Sequence, residues 1–401
     1  MADGCIARNV RFTGLRYDHR MDDLSSLIRS EIEQNDGRIT LAQFMELALY
    51  HPEQGYYLTA ERKPGRGGDF LTSPEASPLF GITIARQIAE CWNRMGRPAG
   101  FSIREYGSGV GGLAYDILAG LSDAAPDLFT SITYRLVERS RPRQAEALTA
   151  FRDMGLIDRI VDESDATLEP ITGLILANEV SDAFPAHRLV FEAGRFREAW
   201  VVSDGAGFRF ENGPVSDEGE AAVEQLQDDE VRLVEGGVYD VSPASAAWFE
   251  GACRHLKRGY ALVIDYGYEA PELFQHHRLT GTLRGYFGHT ATEDPFANVG
   301  AQDLTVHVDF TALQRAGEAA GLTFAGLTTQ GAFLAGLGLG EHLVQLQADP
   351  NTLMSEYLAT QAVVARLIDP GGLGRFRVLV MAKDAPVDPP LQGFSIAPPS
   401  F

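Results

Sequence analysis

Residues 105–112 read Glu-Tyr-Gly-Ser-Gly-Val-Gly-Gly, at the point where an apolar stretch, 102–106, gives way to a helical one, 111–121. Glycines at such a junction let the backbone turn sharply and approach a ligand with no Cβ in the way. The alternation continues downstream. A strand is expected over 132–137, a helix over 142–151 opened by Pro142, and then 173–177 (Gly-Leu-Ile-Leu-Ala) forms a short continuous apolar run. Runs of that kind belong to strands buried on both faces of a parallel sheet. A further apolar strand, 261–264, follows, and a last one is expected over 375–381. The pattern specifies an α/β protein, with a mostly parallel, Rossmann-like sheet and helices on both faces.

At 401 residues the chain exceeds the roughly 250–300 at which a single core stops growing, so a second lobe is expected. Residues 1–21 read as a flexible arm and 22–95 as an N-terminal helical region that includes a lid loop. The first helix has Leu24, Leu27, Ile28 and Ile32 at helical spacing after Asp22 or Asp23. A second, capped by Thr40, presents Leu41, Phe44, Leu47 and Ala48. A Gly- and Pro-rich connection over 55–78 is long enough to be functional, and its 68–77 part reads as a lid that shields a ligand from water. Residues 96–183 form the first part of the core. Strand-like pieces split by glycine turns make 184–258 an insertion, a substrate lobe with a small antiparallel element. The core resumes over 259–385, and 386–401 is a Pro-rich, extended tail.

Acidic residues number 55 against 34 basic ones, a net charge of −21. That balance argues against nucleic acid and anionic membranes as partners and would steer in a cationic substrate. No apolar run approaches the roughly 20 residues needed to span a bilayer. Three dispersed cysteines, Cys5, Cys91 and Cys253, give neither a disulfide framework nor a metal knuckle, which points to a reduced, cytoplasmic setting. Arg8, Arg11, Arg16 and Arg20 resemble a mitochondrial presequence, but Asp3, Asp18 and Asp22-Asp23 argue against one.

Gly107, Gly109 and Gly112 satisfy G-x-G-x-x-G, so a dinucleotide must be weighed. Two acids favour another ligand. Glu105, two residues before the first glycine, suits a sulfonium and an ammonium and would repel a pyrophosphate. Glu138, ending its strand, is placed to accept from both hydroxyls of a ribose. It lies about thirty residues beyond the glycines rather than the roughly 20 of a dinucleotide fold, and no Lys or Arg in the loop meets a phosphate. S-adenosyl-L-methionine fits better than NAD, with Gly107, Ser108 and Gly109 lining its site.

The strand 173–177 runs into Asn178-Glu-Val-Ser-Asp182, which faces the same crevice because ligands of open α/β sheets bind beyond the carboxyl ends of strands. Asn178 offers an amide to the cofactor, and Glu179 and Asp182 are candidate catalytic carboxylates. Their ordinary reading is a helix N-cap and a first-turn acid. Asp265, ending the strand of Val263–Tyr268, and His289 are further catalytic candidates; a lone histidine is more often a packing residue. His276-His277 lack a third ligand at helical spacing, so no metal is assigned.

These residues resemble a known family. The segments HPEQGYY (51–57), GDFLTSPEASPLFG (68–81), EYGSGVGGLAYDIL (105–118), LVE (136–138) and ANEVSDAFPAHR (177–188) are similar to the MidA-type methyltransferases. So are VSPASAAW (241–248), VIDYGY (263–268), GTLRGYFGH (281–289), DPFANVGAQDLTVHVDF (294–310) and TTQGAFLAGLGL (328–339), covering 22–382 in order. The resemblance implies a class I methyltransferase fold with S-adenosyl-L-methionine as cofactor and Ser73 in the lid at the cofactor site. These proteins are related to a mitochondrial complex I assembly factor that methylates an arginine, so a protein arginine is the implied acceptor. Ser108 replaces a proline usual in the family's glycine loop, and Val180 and Ser181 replace aromatic residues. Alternative readings are methylation of the oxygen, nitrogen or carbon of a small metabolite, or an assembly chaperone with catalysis reduced. A homodimer is a further expectation.

Overall fold

An apolar run with no polar face is satisfied only in the middle of a covered sheet, and the run at Leu174, Ile175 and Leu176 lies there, with none of the three exposed. The computed structural model describes residues 23–59, 72–163, 168–205, 207–229, 231–275, 279–288 and 290–398. Its main sheet has seven strands: β1 (Ser102–Tyr106), β2 (Thr133–Val137), β3 (Ile160–Glu163), β4 (Ile171–Asn178), β5 (Leu256–Asp265), β6 (Thr323–Thr329) and β7 (Arg377–Lys383). They lie in the order β3-β2-β1-β4-β5-β7-β6. All neighbours from β3 to β5 are parallel, whereas β7 is antiparallel to both β5 and β6. Strand order reverses between β1 and β4, so the crevice for a ligand opens beyond Tyr106 and Asn178.

Helices Leu79–Arg94 and Gly112–Ala124 cover one face, sharing a core of Phe80, Ile84, Ile88, Ile117 and Leu118 with the sheet. Helices Pro243–Arg254 and Phe310–Ala319 cover the other through Phe249, Phe310 and Leu313. A wholly buried Arg104 on β1 is neutralised by Glu163 at the end of β3, with contacts of 2.7 and 3.1 Å, and Arg135 of β2 adds a third at 2.7 Å. A buried charge without such a partner would be strongly destabilising, so this cluster favours the observed register of three neighbouring strands.

The second lobe is assembled from three separate stretches of chain. Helix Leu24–Gln34 is capped by Asp23, which accepts from the Ser25 N–H at 2.7 Å, and helix Leu41–Tyr50 by a capping box of Thr40 and Gln43. Both bury their apolar stripes against a four-stranded antiparallel sheet (His187–Glu192, Arg195–Asp204, Gly207–Gly213, Val238–Val241) and a three-stranded one (Arg284–Phe287, Thr290–Thr292, Asp303–Thr305). The lobe therefore has a different outline from the insertion drawn at 184–258. Helix Pro243–Arg254 falls inside those bounds but buries Phe249, Ala252 and Cys253 under the main sheet, while strands after residue 283 join the lobe. Strand β3 and the second small sheet were not anticipated; both are short and half polar. The tail also packs more closely than an extended strap: Leu391 is fully buried, and Gly393 N–H donates to Gln87 at 3.1 Å. Among the described residues no helix is long and apolar enough to cross a membrane. The arm at 1–21 lies outside the described residues.

Phe44 is the hinge of the lobe's core, meeting the Phe208 ring at 5.6 Å and Phe296 at 5.1 Å with no solvent exposure. Phe44→Ala should cost about 3–5 kcal/mol by urea unfolding, the usual range for a cavity of that size. A cost under about 1 kcal/mol would mean that helix and sheets do not share one core.

Candidate active site

The loop after β1 is built from left-handed glycines: Gly107, Gly109 and Gly111 have φ of 66, 55 and 81°. A Cβ on Gly107 would lie 2.7 Å from Val180 Cγ2, and one on Gly111 would lie 2.7 Å from Phe151, so both positions need glycine twice over. Gly112 lies inside the helix, and its place in G-x-G-x-x-G reflects no steric need. A Cβ on Gly109 would meet nothing within 4 Å among the described residues, which leaves that side of the loop open to a ligand. Glu138, at the end of β2, accepts from the Gly109 N–H at 2.8 Å and the Ser140 N–H at 2.7 Å. Glu105 is buried and accepts from the Tyr134 hydroxyl at 2.7 Å. Burial pushes its carboxyl up to about 8, with the Tyr134 hydrogen bond working against the rise. The Oγ of Ser108 and Oδ1 of Asn178 are buried and have no hydrogen-bond partner among the described residues.

The second half of the site is the turn after β4. Glu179 has φ +54°, a conformation that costs a side-chain-bearing residue about 1–3 kcal/mol and persists only where its surroundings enforce it. Enforcement comes from β5. The Glu179 N–H donates to Ile264 O at 2.8 Å, and Asp265, with no exposure, accepts from Val180, Ser181 and Tyr266 N–H at 3.1, 2.8 and 2.7 Å. The Glu179 carboxylate accepts from the Ser73 N–H and from the Asn178 amide, both at 3.1 Å. Ser73 in turn donates to Gln330 at 3.0 Å, and Gln330 to Leu367 O at 3.2 Å.

Burial pushes the Glu179 carboxyl up to about 8, with Asp265 adding to the rise. Asp265 is raised to about 6 by burial, opposed by its backbone donors. Asp182 stands well above the ordinary carboxylate range, first through burial and then through Asp265, Asp303 and Glu179. Glu179 and Asp182 are half-buried and open to the crevice, whereas Asp265 and Asp303 are sealed behind them.

Asp303 was not anticipated. The Tyr57 hydroxyl donates to its two oxygens at 2.8 and 2.9 Å, and Tyr50, stacked on Tyr57 at 5.5 Å, donates to Ala183 O at 3.0 Å. No spacing rule joins residues that far apart in sequence; the one available signal is that Tyr57 and Asp303 lie in segments carrying the family resemblance. Gln330, which Ser73 reaches across 257 residues of sequence, was missed for the same reason. The expected residues fall in two groups: Glu105, Gly107, Ser108, Gly109 and Glu138 around the glycine loop, and Ser73, Asn178, Glu179, Asp182 and Asp265 around the acidic turn. The contact of Gly107 with Val180 joins the two. His289 and the His276-His277 pair lie outside the described residues, as do 60–71 of the Gly- and Pro-rich connection, which include 68–71 of the expected lid.

A family model described as "Putative S-adenosyl-L-methionine-dependent methyltransferase" matches residues 83–328. The chain belongs to this methyltransferase family. It is 30% identical over 369 residues to the mouse protein arginine methyltransferase NDUFAF7, mitochondrial, covering 84% of this chain and 80% of that one. The Drosophila melanogaster homologue is 28% identical over 392 residues, covering 89% and 84%. A Burkholderia thailandensis structure with bound S-adenosyl-homocysteine superposes with a TM-score of 0.82 at 32% identity, covering 93% of this chain and 94% of that chain. The methyltransferase class, the cofactor and the fold expected from the sequence are thereby established, and the NAD reading falls away. The cytoplasmic expectation is overturned, because the curated relatives are mitochondrial proteins. Cysteine counts report redox conditions and do not distinguish one reducing compartment from another.

The methyltransferase's own residues fit this cofactor: two orphaned buried oxygens, an open face at Gly109 and no cation in the loop. Gly107→Ala should weaken S-adenosyl-homocysteine binding about tenfold or more, since even a 1.4 kcal/mol displacement of the loop has that effect. Adding Val180→Ala should restore part of the loss by removing the clash while leaving the φ strain. Unchanged calorimetric affinity in the single variant would contradict the packing of loop on turn.

Proposed function

We propose that this methyltransferase methylates an arginine side chain of a protein partner. The observation that carries the reading is the pair of half-buried carboxylates, Glu179 and Asp182, desolvated in a crevice with two further acids behind them. Such a site lacks only positive charge. The relatives' names, protein arginine methyltransferases, support the same acceptor.

When bound, S-adenosyl-L-methionine supplies an electrophilic methyl on a sulfonium. Glu138 would accept from the ribose hydroxyls through lone pairs left free by Gly109 and Ser140. Ser108 and Asn178 would satisfy their orphaned oxygens on the cofactor, with the Gly107–Gly109 backbone beneath it and Ser73 at the rim. Glu105 stands as the buried acid nearest the loop, where an ammonium or sulfonium would restore its charge. Glu179 grips the guanidinium, orients the reacting nitrogen in line with the methyl and accepts the proton that nitrogen must lose. Asp182 takes a second N–H of the fork. Asp265 holds the turn that carries both and touches no substrate. His289 keeps the role of a further candidate in the segment after Phe287.

The pH dependence has a defined sign. Glu179 is raised to about 8 and works as the carboxylate, so kcat/KM should rise through about pH 8 and then level. A bound guanidinium pulls that carboxyl down, so the kcat profile should rise at lower pH. Glu179→Gln should lower kcat about 100-fold or more while S-adenosyl-homocysteine binding stays within about threefold. The experiment combines protein, methyl-labelled cofactor and a mitochondrial extract, with methylarginine read in peptides by mass spectrometry. Label in low-mass material would favour a metabolite acceptor; no incorporation despite intact cofactor binding would favour the assembly chaperone. A Glu179→Gln variant that transfers at the parent rate would remove the role given to Glu179.

A further inference from the structure

We infer that Asp303, held by Tyr57, is a positioning residue that acts through Asp182 to make the acceptor site selective for a cation. The inference rests on the arginine reading above and adds the residues that enforce it. Asp303 ends a loop at the start of strand Asp303–Thr305, and this strand runs beside the acidic turn: Val306 N–H donates to Asp182 O at 3.0 Å. The Asp303 side chain is sealed from solvent, with the Tyr57 hydroxyl on both oxygens at 2.8 and 2.9 Å. Tyr57 is fixed by the ring of Tyr50, and Tyr50 is fixed by Ala183 O and by the Arg139 guanidinium 4.1 Å above it. The second lobe thus delivers one rigid carboxylate to the back of the site, from a part of the chain remote from β4 and β5.

The acidic groups acting on Asp182 come from three elements, and the lid packed on the turn carries Glu75, which acts on Glu179. Glu179 stands on the turn itself, Asp265 on β5 and Asp303 on the lobe, while Tyr50, Tyr57 and Tyr286 contribute hydroxyls. The strongest charges acting on Asp182 are Asp265, Asp303 and Glu179, all acidic. An arginine carries its own charge into this cluster and relieves it; a hydroxyl, amide or ureido group makes hydrogen bonds but leaves the repulsion in place. Asp265 cannot be removed without releasing the turn. Asp303 sits on the lobe, outside the turn and β5, so it can be substituted without touching the bonds of Asp265 to Val180 and Ser181.

The test uses two probes of nearly the same shape, N-acetyl-arginine amide and N-acetyl-citrulline amide, titrated calorimetrically into full-length protein saturated with S-adenosyl-homocysteine. The parent should prefer the cationic probe. Asp303→Asn should cut that preference about tenfold, the effect of one pKa unit, and Tyr57→Phe by a smaller factor, about threefold. Asp303→Glu should keep most of it. In Asp303→Asn the pH midpoint of cationic binding should also move down, because Asp182 loses a neighbouring negative charge. S-adenosyl-homocysteine affinity should be unchanged throughout, which a general structural lesion would not allow. Parent-like preference in both Asp303→Asn and Tyr57→Phe overturns the inference and leaves the arginine reading standing. If Asp303→Asn fails to fold, Tyr57→Phe decides alone. A parent that binds S-adenosyl-homocysteine but shows no preference for the cation overturns the arginine reading and this inference with it.

Discussion

At the end of β5 a carboxylate with no access to water gathers three backbone N–H groups, those of Val180, Ser181 and Tyr266. A buried donor left unpaired costs about 1–3 kcal/mol, so Asp265 settles where the chain goes after β4. That path forces Glu179 into a left-handed conformation and places its carboxylate against Ser73, at the edge of the lid. It also presses Val180 onto Gly107, so the acidic turn and the glycine loop share one geometry. The parallel pairing of β1, β4 and β5 supplies the frame in which one buried side chain can do this.

Placing four acids in one crevice would be a poor way to stabilise a protein. Burial raises Glu179, Asp182 and Asp265 above their ordinary range; Asp265 adds to the rise in Glu179, and Asp265, Asp303 and Glu179 add to the rise in Asp182. A folded state that tolerates such crowding offers a high return to any ligand that brings positive charge, and S-adenosyl-L-methionine and an arginine each bring some. The chain's net charge of −21 extends the same preference outward, favouring approach of basic segments at low salt.

What could be read from the sequence was local or periodic. The glycine junction, the alternation of strand and helix, and the caps at Asp23 and Thr40 each show within a dozen residues, and all recur in the structure. Glu138 and the acidic turn are candidates in the sequence because strand ends in this fold face one crevice. Asp303, Tyr57 and Gln330 were invisible to that logic, since each reaches the site through packing of segments separated by a hundred residues or more. The lobe shows the same limit. Its core joins Ile28, Phe44, Phe208 and Leu304, residues from three stretches that carry no sign in the sequence that they share one core. Asp265 is a catalytic candidate in the sequence because it ends an apolar strand at the right edge; the structure adds three backbone donors that make it the fastener of the turn. The pattern G-x-G-x-x-G likewise misplaced the steric need, which falls on Gly111 rather than Gly112.

The central claim is that the crevice between β1 and β4 holds S-adenosyl-L-methionine through the glycine loop and Glu138, with the acidic turn beside it. Calorimetric titration of S-adenosyl-homocysteine into the parent protein and Glu138→Ala tests it most directly. The account predicts one site per chain in the parent and a loss of about tenfold or more in the variant, the cost of a charge-assisted hydrogen-bond pair to the ribose. Equal affinity in the two proteins would contradict it, and would move the ribose away from the end of β2.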